Sequence, residues 1–374
     1  MSRHQGGSPV AQRALRIIAA VAVFAVAAYI GVIAFGAFNG AQDPQTGIRT
    51  SGANSFALIL AVALLLGLAA YAAVEYLQTR ALTSIARQFD TRTIVLIPIA
   101  LAINIILGQT VAAALKIPIY LDSIGTILVG ALAGPIPGML TGALANLLWT
   151  YVVPPPFQSP AAAAFFIVAA VIGLLAGMFG RLEWLRPRPN RSIAELMLGG
   201  VVAVAIVLAL AFYAVTRFYG KGFVFFGQTD NPIFAVLSWI VALLFVAGLV
   251  GFLALLFIRR DLTVAYVVVA GVVTGVVAAL ISAPIAANVF GGVTGSGTDF
   301  LVAAFRQGGS DVATATFQQG LLSDPVDKLV TFFTVYLILN AMARRTKARF
   351  PQGERLVERG AAGEPAADLG EATA

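Results

Sequence analysis

Long uncharged runs separated by short polar or basic stretches set the pattern of this chain. A helix needs about 20 apolar residues to cross a hydrocarbon layer of about 30 Å. Read for runs near that length, the sequence predicts ten spans, at 17–38, 56–76, 93–115, 121–134, 136–153, 161–180, 193–218, 233–258, 262–290 and 325–342. The fourth has only 14 residues, and Pro135 and Pro137 punctuate its junction with the fifth. The pair reads as two tilted spans or as a re-entrant hairpin; either returns the chain to the same side. Arg13 and Arg16 precede the first run as they would in a secretory signal. That run exceeds the usual signal core of about 7–15 residues and is read as an uncleaved helix, although GAFNGAQ leaves a small-residue cleavage reading open.

Composition agrees with the pattern. The 374 residues are 59% hydrophobic and 11% charged, where soluble domains run near 25% charged. The cations decide topology, because Lys and Arg accumulate on the cytoplasmic side. With the N-terminus inside, 18 of the 24 fall on one side. The other side receives Arg49, Lys116, Arg217, Lys221, Arg306 and Lys328. The expectation is therefore a cell-membrane protein, multi-pass, with both termini cytoplasmic. The net charge of +7 is then a topology signal and an attraction to anionic membrane lipid, not a nucleic-acid footprint. There is no cysteine, and the single histidine is His4. Disulfides, thiolate or zinc-protease metal sites, bis-histidine haem and serine–histidine triads lack their residues. No enzyme activity and no cofactor are expected. From Phe350 onward the chain is rich in Ala, Gly and Glu without apolar periodicity, and reads as a disordered cytoplasmic tail over 347–374.

Few residues remain to carry function. Gly130, Gly134, Gly138 and Gly142, with Gly173/Gly177 and Gly271/Gly275, form small-residue ladders that let helices approach closely in lipid. They serve internal packing or docking of another membrane subunit. Polar residues within the membrane default to functional hypotheses. Asp122, Asn146, Trp149, Asn288, Asp327 and Lys328 fall at one depth, near the outer helix ends, and Thr294 and Asp299 lie in the outer loop over 291–324. Pro284 is expected to kink or break the ninth helix before Asn288. Each residue also has a bland reading. Asp324-Pro325-Val326-Asp327 has the form of a helix start, an acidic cap with proline at the first position. Asp122 suits a cap, Lys328 a snorkelling side chain, Asn146 and Asn288 interhelical bonds, and Trp149 an interfacial anchor. The loop sequence GGVTGSGT lacks the lysine of a phosphate-binding loop. DFLVAAFRQGGSDVATATFQQGLL predicts two short helices divided at Gly308-Gly309, serving as a lid or an interfacial anchor.

The stretch IPIYLDSIGTILVGALAGPIPGMLTGALANLLW over 117–149 resembles the second and third helices of the substrate-binding S components of energy-coupling-factor (ECF) vitamin importers. AGVVTGVVAALISAPIAANVFGGVTGSGTDF and GLLSDPVDKLVTFFTVYLILNAM resemble the last two helices of related S components, and the same module is similar to the membrane input region of some bacterial sensor kinases. The resemblance implies an all-α polytopic membrane protein of about ten transmembrane helices, six of them an S-component-like core. Residues 1–92 are then a two-helix addition, 93–346 the membrane domain, and about 190–260 a two-helix insertion. It further implies a small vitamin-like solute captured from outside among Asp122, Asn146, Trp149, Asn288, Thr294, Asp299, Asp327 and Lys328. A transmembrane coupling subunit and cytoplasmic ATPases are the implied partners. The alternative is a ligand-sensing module that signals through a separate protein. One departure stands out: the family's A-x-x-x-A docking pattern meets Ala100 but Asn104 here.

Overall fold

The computed structural model describes residues 9–36, 50–115, 119–218 and 250–358. Among them every regular element is helical and no strand occurs. The long helices are α1 (Pro9–Phe35), α2 (Thr50–Thr79), α4 (Thr91–Gly108), α7 (Phe166–Arg181), α8 (Ile193–Phe218), α9 (Thr263–Phe290) and α11 (Val312–Ala341). Shorter ones are α3 (Thr83–Ala86), α5 (Ile124–Ala133), α6 (Pro135–Tyr151), α10 (Asp299–Gln307) and α12 (Arg344–Ala348). Five helices among the described residues are long and apolar enough to cross a membrane, at Val10–Phe35, Gly52–Thr79, Thr91–Ala114, Ala162–Arg181 and Thr263–Phe290. The expected eighth span lies outside the described residues except for 250–258, which are helical.

The centre of the fold is the α5–α6–α7 unit. All ten residues of α5 are buried. The glycine ladder accounts for that: Gly130 and Gly138 both face the Gly173 carbonyl, Gly142 faces the Ala169 carbonyl, and Gly177 faces Pro135. A methyl group on Gly138 would come within 2.5 Å of that carbonyl oxygen, so only glycine permits the contact. These glycines serve internal packing. Gly134, at φ 131°, turns the chain between α5 and α6. On the other flank α9 and α11 run antiparallel, with Gly271 against Leu329 and Gly275 against Pro325.

Three expectations are corrected. The last long helix does not begin at Asp324-Pro325. It begins at Val312, where the Asp311 carboxylate accepts the Thr314 N–H (2.8 Å), and Pro325 lies inside it. The second short outer helix is therefore the first turns of α11. Of the kink or break expected at Pro284, the break does not occur: α9 continues to Phe290. A proline removes one donor from the ladder, and helices packed among neighbours tolerate that loss. Third, the chain beyond 347 is ordered as far as 358. Gln352 donates its backbone N–H to the Leu132 carbonyl (2.8 Å) and its side-chain amide to that of Gly130 (3.3 Å). Leu356 is fully buried in the main core. The segment binds through these single contacts, which leave no periodic trace in the sequence. Residues 359–374 lie outside the described residues.

Candidate functional site

The two ends of α5 sort the polar residues. At its C-terminal end gather Arg92, Arg186, Arg188 and Arg355: Arg92 donates to the Arg349 carbonyl, Arg186 to the Arg355 carbonyl and the Glu183 carboxylate, Arg188 to the Glu183 carbonyl, and Arg355 to the Arg181 carbonyl. At its N-terminal end the acids expected from the sequence come together.

The connection over 119–123 is held by α11. One oxygen of Asp327 accepts the backbone N–H groups of Tyr120 (3.0 Å) and Leu121 (2.8 Å). Its other oxygen takes the Lys328 ammonium. Leu121 sits at φ 52°, a left-handed conformation that costs an L-residue about 1–2 kcal/mol. Two charge-assisted bonds to one carboxylate offset that cost. Lys328 also donates to Ser123 Oγ (2.8 Å) and lies 3.7 Å from Asp122. It does not snorkel: its side chain is 4% exposed, against 0% for Asp327 and 22% for Asp122. Asp122 is thus the acid of this group whose carboxylate reaches the surface. Trp149 packs beside it, since a methyl group at Gly108 would meet the Trp149 ring at 2.6 Å and Asp122 Cβ at 3.0 Å. The indole N–H donates to the Phe157 carbonyl (2.9 Å), which fixes the ring inward, and Trp149 is not an interfacial anchor. Asn146 is buried one turn earlier on α6.

A second layer joins this group to the loop before α10. Tyr120 shares a hydrogen bond with Thr298 (2.7 Å), Thr298 with Ser296 (2.7 Å), and Ser296 with Thr294 (2.8 Å). The Asp299 carboxylate accepts the Thr294 and Gly295 N–H groups and the Thr294 hydroxyl. Thr294 and Asp299 therefore close their own loop. Gly297 donates to the Ala112 carbonyl (3.0 Å), in a π-helical turn over Gln109–Ala114 that extends α4. Burial, and after it the neighbouring Asp324 carboxylate, holds the Tyr120 phenol well above its usual range, so it remains a donor. Asp324 itself accepts from Ser282 (3.2 Å) and Ser323 (3.1 Å), which places it in the interior and not at a cap.

The structure thus unites Asp122, Trp149, Asp327 and Lys328, and adjoins the Thr294–Asp299 loop through Tyr120. It leaves Asn288 out: that side chain is exposed and bonds the Pro284 carbonyl of its own helix (2.8 Å). Tyr120, Ser123 and Thr298 were missed from the sequence. Tyr120 and Ser123 flank Leu121-Asp122 in a polar break between apolar runs, a signal that was available. No group of three or more His, Cys, Asp or Glu side chains suited to a metal ion occurs among the described residues.

Fold and site together define an all-helical protein with candidate membrane spans and a buried acid–lysine cluster at one end of its helices. No protein-family model matches the chain, and no curated protein or solved structure matches it either.

Proposed function

We propose that the chain is the membrane-embedded solute-binding subunit of an energy-coupled, ECF-type importer, taking a small vitamin-like molecule from the extracytoplasmic side. The observation that carries this reading is the convergence of Asp122, Trp149 and Lys328, from three separate parts of the chain, at the α5 end away from the arginines. Asp327 is consumed in holding the 119–123 connection, so Asp122, the partly exposed acid beside the buried Trp149, is the group left for a solute. A carboxylate beside an aromatic wall suits a ligand with a hydrogen-bond donor and a flat or apolar body. On this reading the ten spans place both termini in the cytoplasm, and a coupling subunit and ATPases act in trans.

A second reading, a ligand-sensing module with a separate signalling partner, draws on Ala100 and Asn104. Both are 1% exposed and packed against α5, so the positions matching the family's docking motif present no free surface. The experiment that separates the two is purification of the intact protein from its own membrane, with mass spectrometry of co-purifying proteins and small molecules. Import predicts two ATPases with a membrane coupling protein, and a retained small molecule that Asp122→Ala releases. A kinase or response regulator in their place favours sensing. Recovery with neither ATPase nor ligand refutes the import reading.

A further inference from the structure

The described part of α8 and the helix over 250–258 border an open apolar groove of about 340 Å³. Its walls include Met197, Val201, Val204 and Leu208 from α8, and Leu253 and Phe257 opposite. From Met197 to Leu208 the helix rises about 16 Å, close to half of a hydrocarbon layer of about 30 Å. The groove therefore has the depth of one leaflet.

Its mouth is basic. Arg259 and Arg260 follow Phe257 at the end of the facing helix, are exposed, and form no ion pair with a described acid. Arg260 has φ 47°, and its carbonyl accepts the Arg191 N–H (3.3 Å), which ties the start of α8 to the same turn and brings a third guanidinium there. The acid at this mouth, Glu195, is engaged with the Ser192 N–H and hydroxyl in a helix-capping box and sits 3.5 Å from Arg191. The second acid of the turn, Asp261, is buried and accepts from Arg188, Thr263 and Tyr336. A groove one leaflet deep with uncompensated guanidinium groups at its rim is complementary to a molecule with one long apolar chain and an anionic head.

We infer that this groove binds one anionic phospholipid, an acyl chain lying between α8 and 250–258 and the phosphate head resting on Arg259 and Arg260. The site is separate from the acid–lysine cluster and independent of what that cluster binds. The test uses the full-length protein in nanodiscs of equal phosphatidylcholine and phosphatidylglycerol, followed by native mass spectrometry of the released protein. Wild type is expected to retain one phosphatidylglycerol in preference to phosphatidylcholine. The pair Arg259→Gln with Arg260→Gln should reduce that preference by roughly fivefold per arginine, and the corresponding Lys pair should preserve it. Ala205→Trp, which fills the groove without touching the arginines, should abolish retention while the protein stays monodisperse with unchanged thermal unfolding. Equal retention of the two lipids, or a preference that survives the Gln pair, overturns the role of the head. Retention that survives Ala205→Trp overturns the role of the groove. A wild type that retains no lipid also overturns the proposal.

Discussion

The bond between α11 and the 119–123 connection can be tested by taking Asp327 apart in stages. Its carboxylate performs two tasks: it neutralises the buried Lys328 and accepts two backbone N–H groups, from Tyr120 and Leu121. Asp327→Asn keeps an amide oxygen for the two N–H groups and removes only the charge, leaving Lys328 with Asp122 at 3.7 Å. Breaking a buried pair from one side costs about 3–5 kcal/mol, and the remaining contact to Asp122 puts Asn near the lower figure. Asp327→Ala also orphans both N–H groups, at about 1 kcal/mol or more each, so it should cost about 2 kcal/mol beyond Asn. The double replacement Asp327→Leu with Lys328→Met removes both charges and should be milder than Asp327→Leu alone, because an apolar pair replaces an uncompensated ion. Leu121→Gly should recover part of the Ala loss, since glycine adopts the φ 52° conformation without strain. Chemical unfolding in detergent micelles, followed by tryptophan fluorescence, measures all five. Equal costs for Asn and Ala would refute the assignment of the two backbone bonds. A double variant as damaged as Asp327→Leu would refute the role of charge compensation.

Three further outcomes follow from the same structure. Asn104→Ala should destabilise by about 1–3 kcal/mol in the same assay, because the buried Gly125 N–H loses its acceptor at 2.8 Å. Leu356→Ala should cost about 2–5 kcal/mol, the loss for a core leucine, whereas a disordered tail would show no change. The Asp311 carboxyl is held below its usual range first by the Thr314 N–H. It therefore stabilises the start of α11 above the unfolded value of about 3.9, and that contribution is lost as pH falls through the lower folded value. Amide protection over 312–316 should drop across that acidic window in wild type and stay flat in Asp311→Asn, which caps without titrating. A flat wild-type profile would remove Asp311 from the cap.

The helical class was legible because apolar runs of span length leave one architecture, and five of them stand as helices among the described residues. The clustering of Asp122, Asp327 and Lys328 was legible from their common depth. What each of them does was not. Asp324-Pro325-Val326-Asp327 has the local chemistry of a helix start, and nothing nearby in sequence contradicts that. The contradiction comes from Asp311 starting the helix earlier and from Tyr120 and Leu121, 207 and 206 positions away, claiming the Asp327 oxygen. Asn288 misled for the opposite reason: it has the right depth but points off the cluster and bonds its own helix. Depth is a one-dimensional coordinate, and the side of the helix that faces a site depends on packing partners that spacing alone does not choose.

Asn104 holds a place in the fold that a small side chain could not fill. The helix it serves, α5, has ten residues and is about 15 Å long, half of a hydrocarbon layer. All ten of its residues are buried, so its terminal N–H and C=O groups lie inside the protein and cannot all be met within the helix. The rest of the fold supplies the partners. At the N-terminal end Asn104 accepts the Gly125 N–H, its amide donates to the Thr126 hydroxyl (2.7 Å), and Lys328 donates to the Ser123 hydroxyl. At the C-terminal end Gln352 covers Gly130 and Leu132. Both Lys328 and Gln352 lie in the chain from α11 onward, so one continuous segment clamps α5 at its two ends. An alanine at 104 would leave the Gly125 N–H at the start of the short helix without its acceptor inside the protein. The asparagine is thus committed to holding α5, and neither it nor Ala100 leaves a free surface at these positions of α4.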